Sequence, residues 1–250
     1  MLSQGQDQNH SCLRMAFICD FDGTITRTDV CDEIMSAFGD PVWNEIGLDY
    51  SCGKISHRDM NMHFASLLKM NNDKLKSFLN KRIAIKNGFG RFIKWCTSRQ
   101  VLFVVVSGGW FSYIRHLLGE NGAILIDDPA DLLSGWQGKI PVISNDIEFQ
   151  PTSRSWKAIM SPIAGDDSCS PGKKTILDYL KNNGFEQIIF AGDGLSDFSI
   201  AKQADIVFSC GQLSDYCGHN SIPHIKFENF DQISDHLSGM VSHAISNSKK

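Results

Sequence analysis

The unbroken apolar run VLFVVV at 101–106 has no polar face, so as a strand it must be covered on both sides, the situation of a parallel sheet sandwiched between helices. Shorter strand-like runs stand at 15–19, 187–191 and 205–209, with helix-length periodic segments between them. This alternation predicts an α/β protein built on a doubly wound, Rossmann-like parallel sheet. Between the first two runs no strand is legible. Apolar residues recur there at helical spacing instead: Val30, Ile34 and Phe38; Met60, Phe64, Leu67 and Leu68; Leu75, Phe78 and Leu79; Phe89, Phe92, Ile93 and Cys96. The reading is a helical insertion over 28–85 in a core of 13–27 and 86–245, with flexible tails at 1–12 and 246–250. Further helices are predicted over 113–118, 171–182 and 196–203, and a short strand over 123–126. The stretch 129–156 reads as irregular or hairpin-like, a candidate flap beside the site.

The strand ends carry the chemistry. The first run leads into Asp20-Phe21-Asp22-Gly23-Thr24, which sets two carboxylates at alternate positions where the chain leaves the sheet and α/β proteins collect their ligands. One carboxylate is suited to attack and the other to moving protons. The second ends in Ser107-Gly108-Gly109, a hydroxyl and glycines whose amides approach an anion closely, or else an ordinary turn with serine as cap. Ser170-Pro171-Gly172-Lys173-Lys174 reads as a helix start with Ser170 as N-cap and Pro171 at the first helical position. Lysines in a first turn oppose the helix dipole and make sense where an anion sits. The run at 188–191 continues into Gly192-Asp193-Gly194-Leu195-Ser196-Asp197, whose carboxylates repel one another without a cation. Hard oxygen ligands of this kind suit Mg²⁺, with helix capping as the alternative role.

These four motifs, in this order, resemble those of the haloacid dehalogenase superfamily, most of whose members are magnesium-dependent phosphatases that form an aspartyl-phosphate on the first Asp. The resemblance runs from Phe17 to about Ser209, and the insertion falls where the phosphoserine-phosphatase-like branch carries its cap. It implies Asp20 as nucleophile, Asp22 as general acid and base, and Ser107, Gly108 and Lys173 on the phosphate oxygens. Mg²⁺ would be held by Asp20, the backbone carbonyl of Asp22, and Asp193, with Asp197 acting directly or through water. Alignment through Ile176 and Leu177 favours Lys173 over Lys174.

In that branch the cap selects the substrate. Asp29 stands where phosphoserine phosphatases carry an acidic residue that reads the amine, although the dipole equally explains an acid at a helix start. Phe64 falls where those enzymes use an arginine for the carboxylate, which leaves Arg58 as the basic candidate and disfavours phosphoserine. The sequence at 18–26, with Trp43 and Phe111, looks closer to the methionine-salvage phosphatases that act on 2-hydroxy-3-keto-5-methylthiopentenyl-1-phosphate. Of the cysteine cluster those proteins often carry before the third motif, only Cys169 is present. Trp43, Met60, Met62 and Phe64 suit a thioether tail and equally suit a cap core. Phosphoserine, phosphocholine, phosphoethanolamine and thiamine phosphate phosphatases stand as alternatives, as does a phosphotransferase on the same site. A binding protein that has lost catalysis is disfavoured, because every motif position holds a chemically competent residue.

The formal charge of -4 and the absence of a basic block argue against nucleic acid as a partner, and the resemblance implies a small-molecule phosphomonoester as substrate. The polar opening at 1–13 lacks the apolar core of a signal peptide, and no stretch is long enough to span a bilayer. Eight cysteines without a Cys-x-x-Cys pair read as reduced thiols, so a cytoplasmic protein is expected. Nothing in the pattern points to an oligomeric state.

Overall fold

A computed structural model describes residues 13–120, 122–134, 138–164 and 172–247. At its centre β1 (Met15–Cys19) lies between β2 (Leu102–Trp110) and β6 (Gln187–Gly192), with Ile18 opposite both Val104 and Phe190. The sheet extends outward through β4 (Ile140–Gln150) to β3 (Ala123–Leu125) on one side, and through β7 (Ile206–Ser209) to β8 (Ile225–Lys226) on the other. Its order is β3-β4-β2-β1-β6-β7-β8 with every pair parallel, while β5 (Ser155–Ile159) pairs antiparallel with β4. This is the doubly wound α/β architecture.

Strand alternation divides the core into two layers. Phe17, Phe103 and Phe208 face α5 (Phe89–Ser98) and α10 (Phe230–Asn247), where Phe17 meets Phe92 edge to face with centroids 4.8 Å apart. Ile18, Val104 and Phe190 point the other way and pack with Ile176 and Leu177 of α7 (Lys173–Asn182), Ile200 of α8 (Phe198–Ala201) and Leu213 of α9 (Gly211–His219). Both faces of the central strands are dry, which is why their sequence is apolar without interruption.

Between β1 and α5 lie α1 (Val30–Phe38), α2 (Trp43–Ser51), α3 (His57–Leu67) and α4 (Asn72–Arg82). The ends of this insertion are tied together. Thr26 and Ile85 form an antiparallel bridge, flanked by Arg27 N–H to Ala84 O at 2.9 Å and Lys86 N–H to Ile25 O at 2.8 Å.

The details differ from the sequence expectation in four places. β2 continues through Ser107 to Trp110, and its pairing with β4 shifts register between Val106 and Trp110. The stretch at 129–156 is a 3₁₀ turn (Pro129–Leu133) followed by most of the β4–β5 hairpin. That hairpin packs on the helical insertion, where the Trp156 indole N–H donates to Met70 O at 2.8 Å. The expected helix at 196–203 is a 3₁₀ turn (Leu195–Asp197) and the single helical turn α8. α10 runs to Asn247, past the expected start of a tail; Ser170, Pro171, Cys169 and the tail residues 1–12 and 248–250 lie outside the described residues. Among the described residues no helix is long and apolar enough to cross a membrane.

Candidate active site

Asp20 follows β1 directly, with its N–H donating to Ala191 O of the neighbouring strand at 2.9 Å. Its side chain is 6% exposed. Lys173, the first residue of α7, is fully buried and inserts its Nζ between Asp20 Oδ2 at 3.0 Å and Asp197 Oδ1 at 2.5 Å, while donating to Ser196 Oγ at 2.9 Å. Lys174 points outward and pairs with Asp178. The other oxygen of Asp197 accepts the N–H groups of Asp193 at 2.8 Å and Gly194 at 3.0 Å, so this carboxylate shapes the loop after β6. Asp193 is held from two sides, by Thr24 Oγ1 donating to its Oδ1 at 2.9 Å and by Leu213 N–H donating to its carbonyl at 2.8 Å.

Asp20, Asp193 and Asp197 each offer a carboxylate oxygen within 4.8 Å of the others. Burial pushes the Asp20 carboxyl well above its ordinary pKa, against the pull of Lys173 and with added repulsion from Asp197 and Asp193. Burial and Asp197 together raise Asp193 to about 6. Burial also works against the charge on Lys173, yet Asp197 and Asp20 outweigh it and raise its pKa above the lysine value. Three carboxylates against one ammonium leave negative charge uncompensated, and their hard oxygens fit a metal cation.

The Asp22 side chain stands apart from that cluster. Its Oδ2 accepts from Tyr113 OH at 2.6 Å and from Ser107 Oγ at 3.3 Å, and its Oδ1 accepts the Val30 N–H at 3.2 Å. Burial pushes it up to about 7, the Tyr113 hydrogen bond opposes that rise, and Asp20 adds to it. A carboxyl poised there gives or takes a proton near neutrality. Two glycines make the packing possible. A Cβ on Gly23, whose φ is +69°, would lie 2.2 Å from Asp193 Oδ2, and one on Gly109 would lie 1.7 Å from Tyr113 OH. Ser107 Oγ accepts the Gly109 N–H at 3.0 Å, and the buried Asn145 donates to Gly108 O at 3.2 Å, which fixes the end of β2 beside Asp22.

These groups floor a cleft of about 190 Å³ whose roof is the helical insertion. Asp20, Asp22, Gly108, Gly109 and Asp193 face Tyr50, His57, Met60 and Asn61, with Asp29 and Cys31 also lining it. No lysine or arginine is among its described lining residues. Asp29 is both a lining residue and the N-cap of α1, accepting the Asp32 N–H at 2.9 Å. The two other cap candidates do not reach the cleft: Arg58 is exposed on α3, and Phe64 is 3% exposed in the cap core, edge-on to Trp43 at 6.0 Å. Sequence reasoning passed over Tyr50, His57, Asn61 and Tyr113. His57, Met60 and Asn61 stand at i, i+3 and i+4 on one helical face, a signal visible in the sequence; Tyr113 meets Asp22 across 91 residues and leaves none. Lys86 was also missed: its Nζ donates to Gly23 O at 2.6 Å, joining the base of the insertion to the Asp22 loop.

A family model for haloacid dehalogenase-like hydrolases matches residues 17–202. The chain is 30% identical over 228 residues to the 2-hydroxy-3-keto-5-methylthiopentenyl-1-phosphate phosphatase of Exiguobacterium sp., an alignment covering 89% of this chain and 97% of that protein. It is also 30% identical to Pdp3-interacting factor 1 of Schizosaccharomyces pombe, covering 86% and 90% of the two chains. Among solved structures, a phospho-aspartyl intermediate analogue of phosphoserine phosphatase superposes with a TM-score of 0.64 at 19% identity, covering 89% of this chain and 98% of that one.

Proposed function

From the premise that the chain belongs to the haloacid dehalogenase-like hydrolases, and within them is a phosphoserine-phosphatase-like phosphomonoester hydrolase, we propose that Asp20 is its nucleophile and Asp22 its general acid and base. A carboxylate oxygen of Asp20 attacks phosphorus in line, and the bond to the ester oxygen breaks as Asp22 gives that oxygen its proton. Asp22, now anionic, takes a proton from the water that attacks the aspartyl-phosphate, which releases phosphate and restores the Asp20 carboxylate. The Ser107 hydroxyl, the Gly108 amide and the Lys173 ammonium bind the phosphoryl oxygens, where charge develops in the transition state. Asp20, the Asp22 carbonyl and Asp193 would hold Mg²⁺, with Asp197 acting directly or through water, and the ion when bound offsets the repulsion between an anionic carboxylate and an anionic phosphate. Residues 28–85 serve as the cap over a core of 13–27 and 86–245.

The substrate we propose is 2-hydroxy-3-keto-5-methylthiopentenyl-1-phosphate. The observation that carries this choice is the lining of the roof, where Tyr50 and His57 offer hydrogen bonds, Met60 offers a soft apolar surface, and no described cation awaits a carboxylate. Such a surface suits a neutral tail with hydroxyl, keto and thioether groups, and the names of relatives at 30% and 28% identity agree. Asp29 in the lining favours a second reading, an amine-bearing ester such as phosphoethanolamine or phosphocholine. All six described cysteines are free thiols, which supports work in the cytoplasm. Phosphate release from a panel of methylthio, amino, choline and thiamine phosphates, with Mg²⁺ or with EDTA, tests both readings. Mg²⁺-dependent release ranked first for the methylthio ester is expected; a first rank for an amine ester would replace it with the second reading.

A further inference from the structure

Trp110 ends β2 immediately after the two glycines of the cleft floor and is fully buried. An indole N–H only donates, so a buried one needs an acceptor. It finds Asn61 Oδ1 at 2.7 Å, on a helix of the cap. That bond decides which way the Asn61 amide faces. With its oxygen committed to Trp110, the Nδ2 group is turned to His57, lying 3.1 Å from the His57 carbonyl and 3.2 Å from its Nε2. His57 is the first residue of α3, 5% exposed and part of the cleft lining, and the Tyr50 ring meets it edge to face at 5.6 Å.

The chain of contacts therefore runs from the strand end that borders the phosphate position to the roof that faces the organic half of an ester. It also runs between core and cap, fixing the height of the roof above Gly108 and Gly109. We propose that Asn61 is a positioning residue for substrate recognition: oriented by Trp110, it holds His57 in place and so sets which organic group fits between the cap and the reacting phosphate. This inference rests on the reading of the cleft as a phosphomonoester site and extends it to the determinant of selectivity. Polar groups buried this deeply are costly unless paired, and a paired network specifies one arrangement of the cap where an apolar contact would allow several.

The test compares Trp110→Phe, which keeps the ring and deletes the N–H, with Asn61→Ala and with the double variant. For each, kcat and KM are measured on the panel ester that the wild type hydrolyses best and on p-nitrophenyl phosphate, whose tail offers no hydroxyl or amine to read. Loss of one buried hydrogen bond should lower kcat/KM for the preferred ester by about 10- to 100-fold, chiefly through KM, with p-nitrophenyl phosphate held within about threefold. The double variant should be no worse than the weaker single, because both substitutions remove one interaction. Equal losses on both esters, unchanged selectivity, or additive losses in the double variant would overturn the inference while leaving the hydrolase intact. A wild type inactive on every ester would overturn the underlying reading and the inference with it. Should Asn61→Ala fail to fold, Trp110→Phe carries the selectivity test on its own.

Discussion

Replacing Lys173 with Met removes the one ammonium that, among the described residues, pairs with the three-carboxylate cluster, while nearly conserving volume. Its Nζ stands 3.0 Å from Asp20 and 2.5 Å from Asp197, and the side chain is wholly buried. Deleting one partner of a buried ion pair costs about 3–5 kcal/mol, because the wholly buried Asp197 carboxylate is left without its counter-charge. For a chain of this size each kcal/mol moves the melting temperature by about 2–4 °C, so the loss should be roughly 6–20 °C. Thermal unfolding followed by circular dichroism, in EDTA at neutral pH, reads it directly. Asp197→Asn added to Lys173→Met should recover part of the loss, since one uncompensated charge goes with it. A single variant melting within about 2 °C of the wild type would refute the claim that Lys173 neutralises the cluster. So would a double variant whose loss is the sum of the two singles.

Other consequences follow from the same geometry. Gly109→Ala should lower kcat by at least about tenfold in a folded protein, because the added Cβ would sit 1.7 Å from Tyr113 OH and 2.6 Å from Asp22 Oδ2; unchanged kinetics would show that neither group has to stay put. Since kcat/KM reports the first half-reaction, in which Asp22 gives a proton, it should fall as pH rises through about 7, the value to which burial lifts this carboxyl. Tyr113→Phe deletes a hydrogen bond that lowers that value, so the alkaline fall should move to higher pH; movement to lower pH would contradict the acid role. In EDTA the folded protein should be more stable at mildly acidic than at alkaline pH. Burial raises Asp193 to about 6 in the folded state, above the ordinary carboxylate value, so the native form binds the extra proton and its stability declines as pH climbs through that interval. With Mg²⁺ bound the trend should reverse, because protons then compete with the cation; a melting temperature indifferent to both would argue against a metal site at Asp193.

The sheet was legible because its strands are buried on both faces, which makes 101–106 and 187–191 unmistakably apolar and leaves the polar motif residues to mark where each strand ends. The preference for Lys173 over Lys174 came from family alignment, and the structure places Lys173 within the carboxylate cluster while Lys174 faces solvent. α2 was not legible: its sequence WNEIGLDYS buries no residue and shows little apolar periodicity. The β4–β5 hairpin was only half legible, since Trp156 is tied to the insertion through Met70 O and Phe149 packs on Trp156 across the hairpin, contacts that local alternation does not announce. Phe64 was placed by alignment and Arg58 as the remaining basic candidate; the structure packs Phe64 against Trp43 and leaves Arg58 exposed, and one residue of rotation on a helix moves a side chain by about 100°. Asn61 and Tyr113 are set by contacts 49 and 91 residues away, a kind of information that local pattern does not carry.

The most direct measurement of the account's central claim is acid quench of the wild type during turnover of its best phosphate ester, followed by peptide mass mapping. The expected result is one added phosphoryl group on the peptide containing Asp20, with neither the adduct nor turnover in Asp20→Asn, whose melting curve stays cooperative. A phosphoryl group on any other residue, or an Asn variant that still releases phosphate with Mg²⁺, would contradict it.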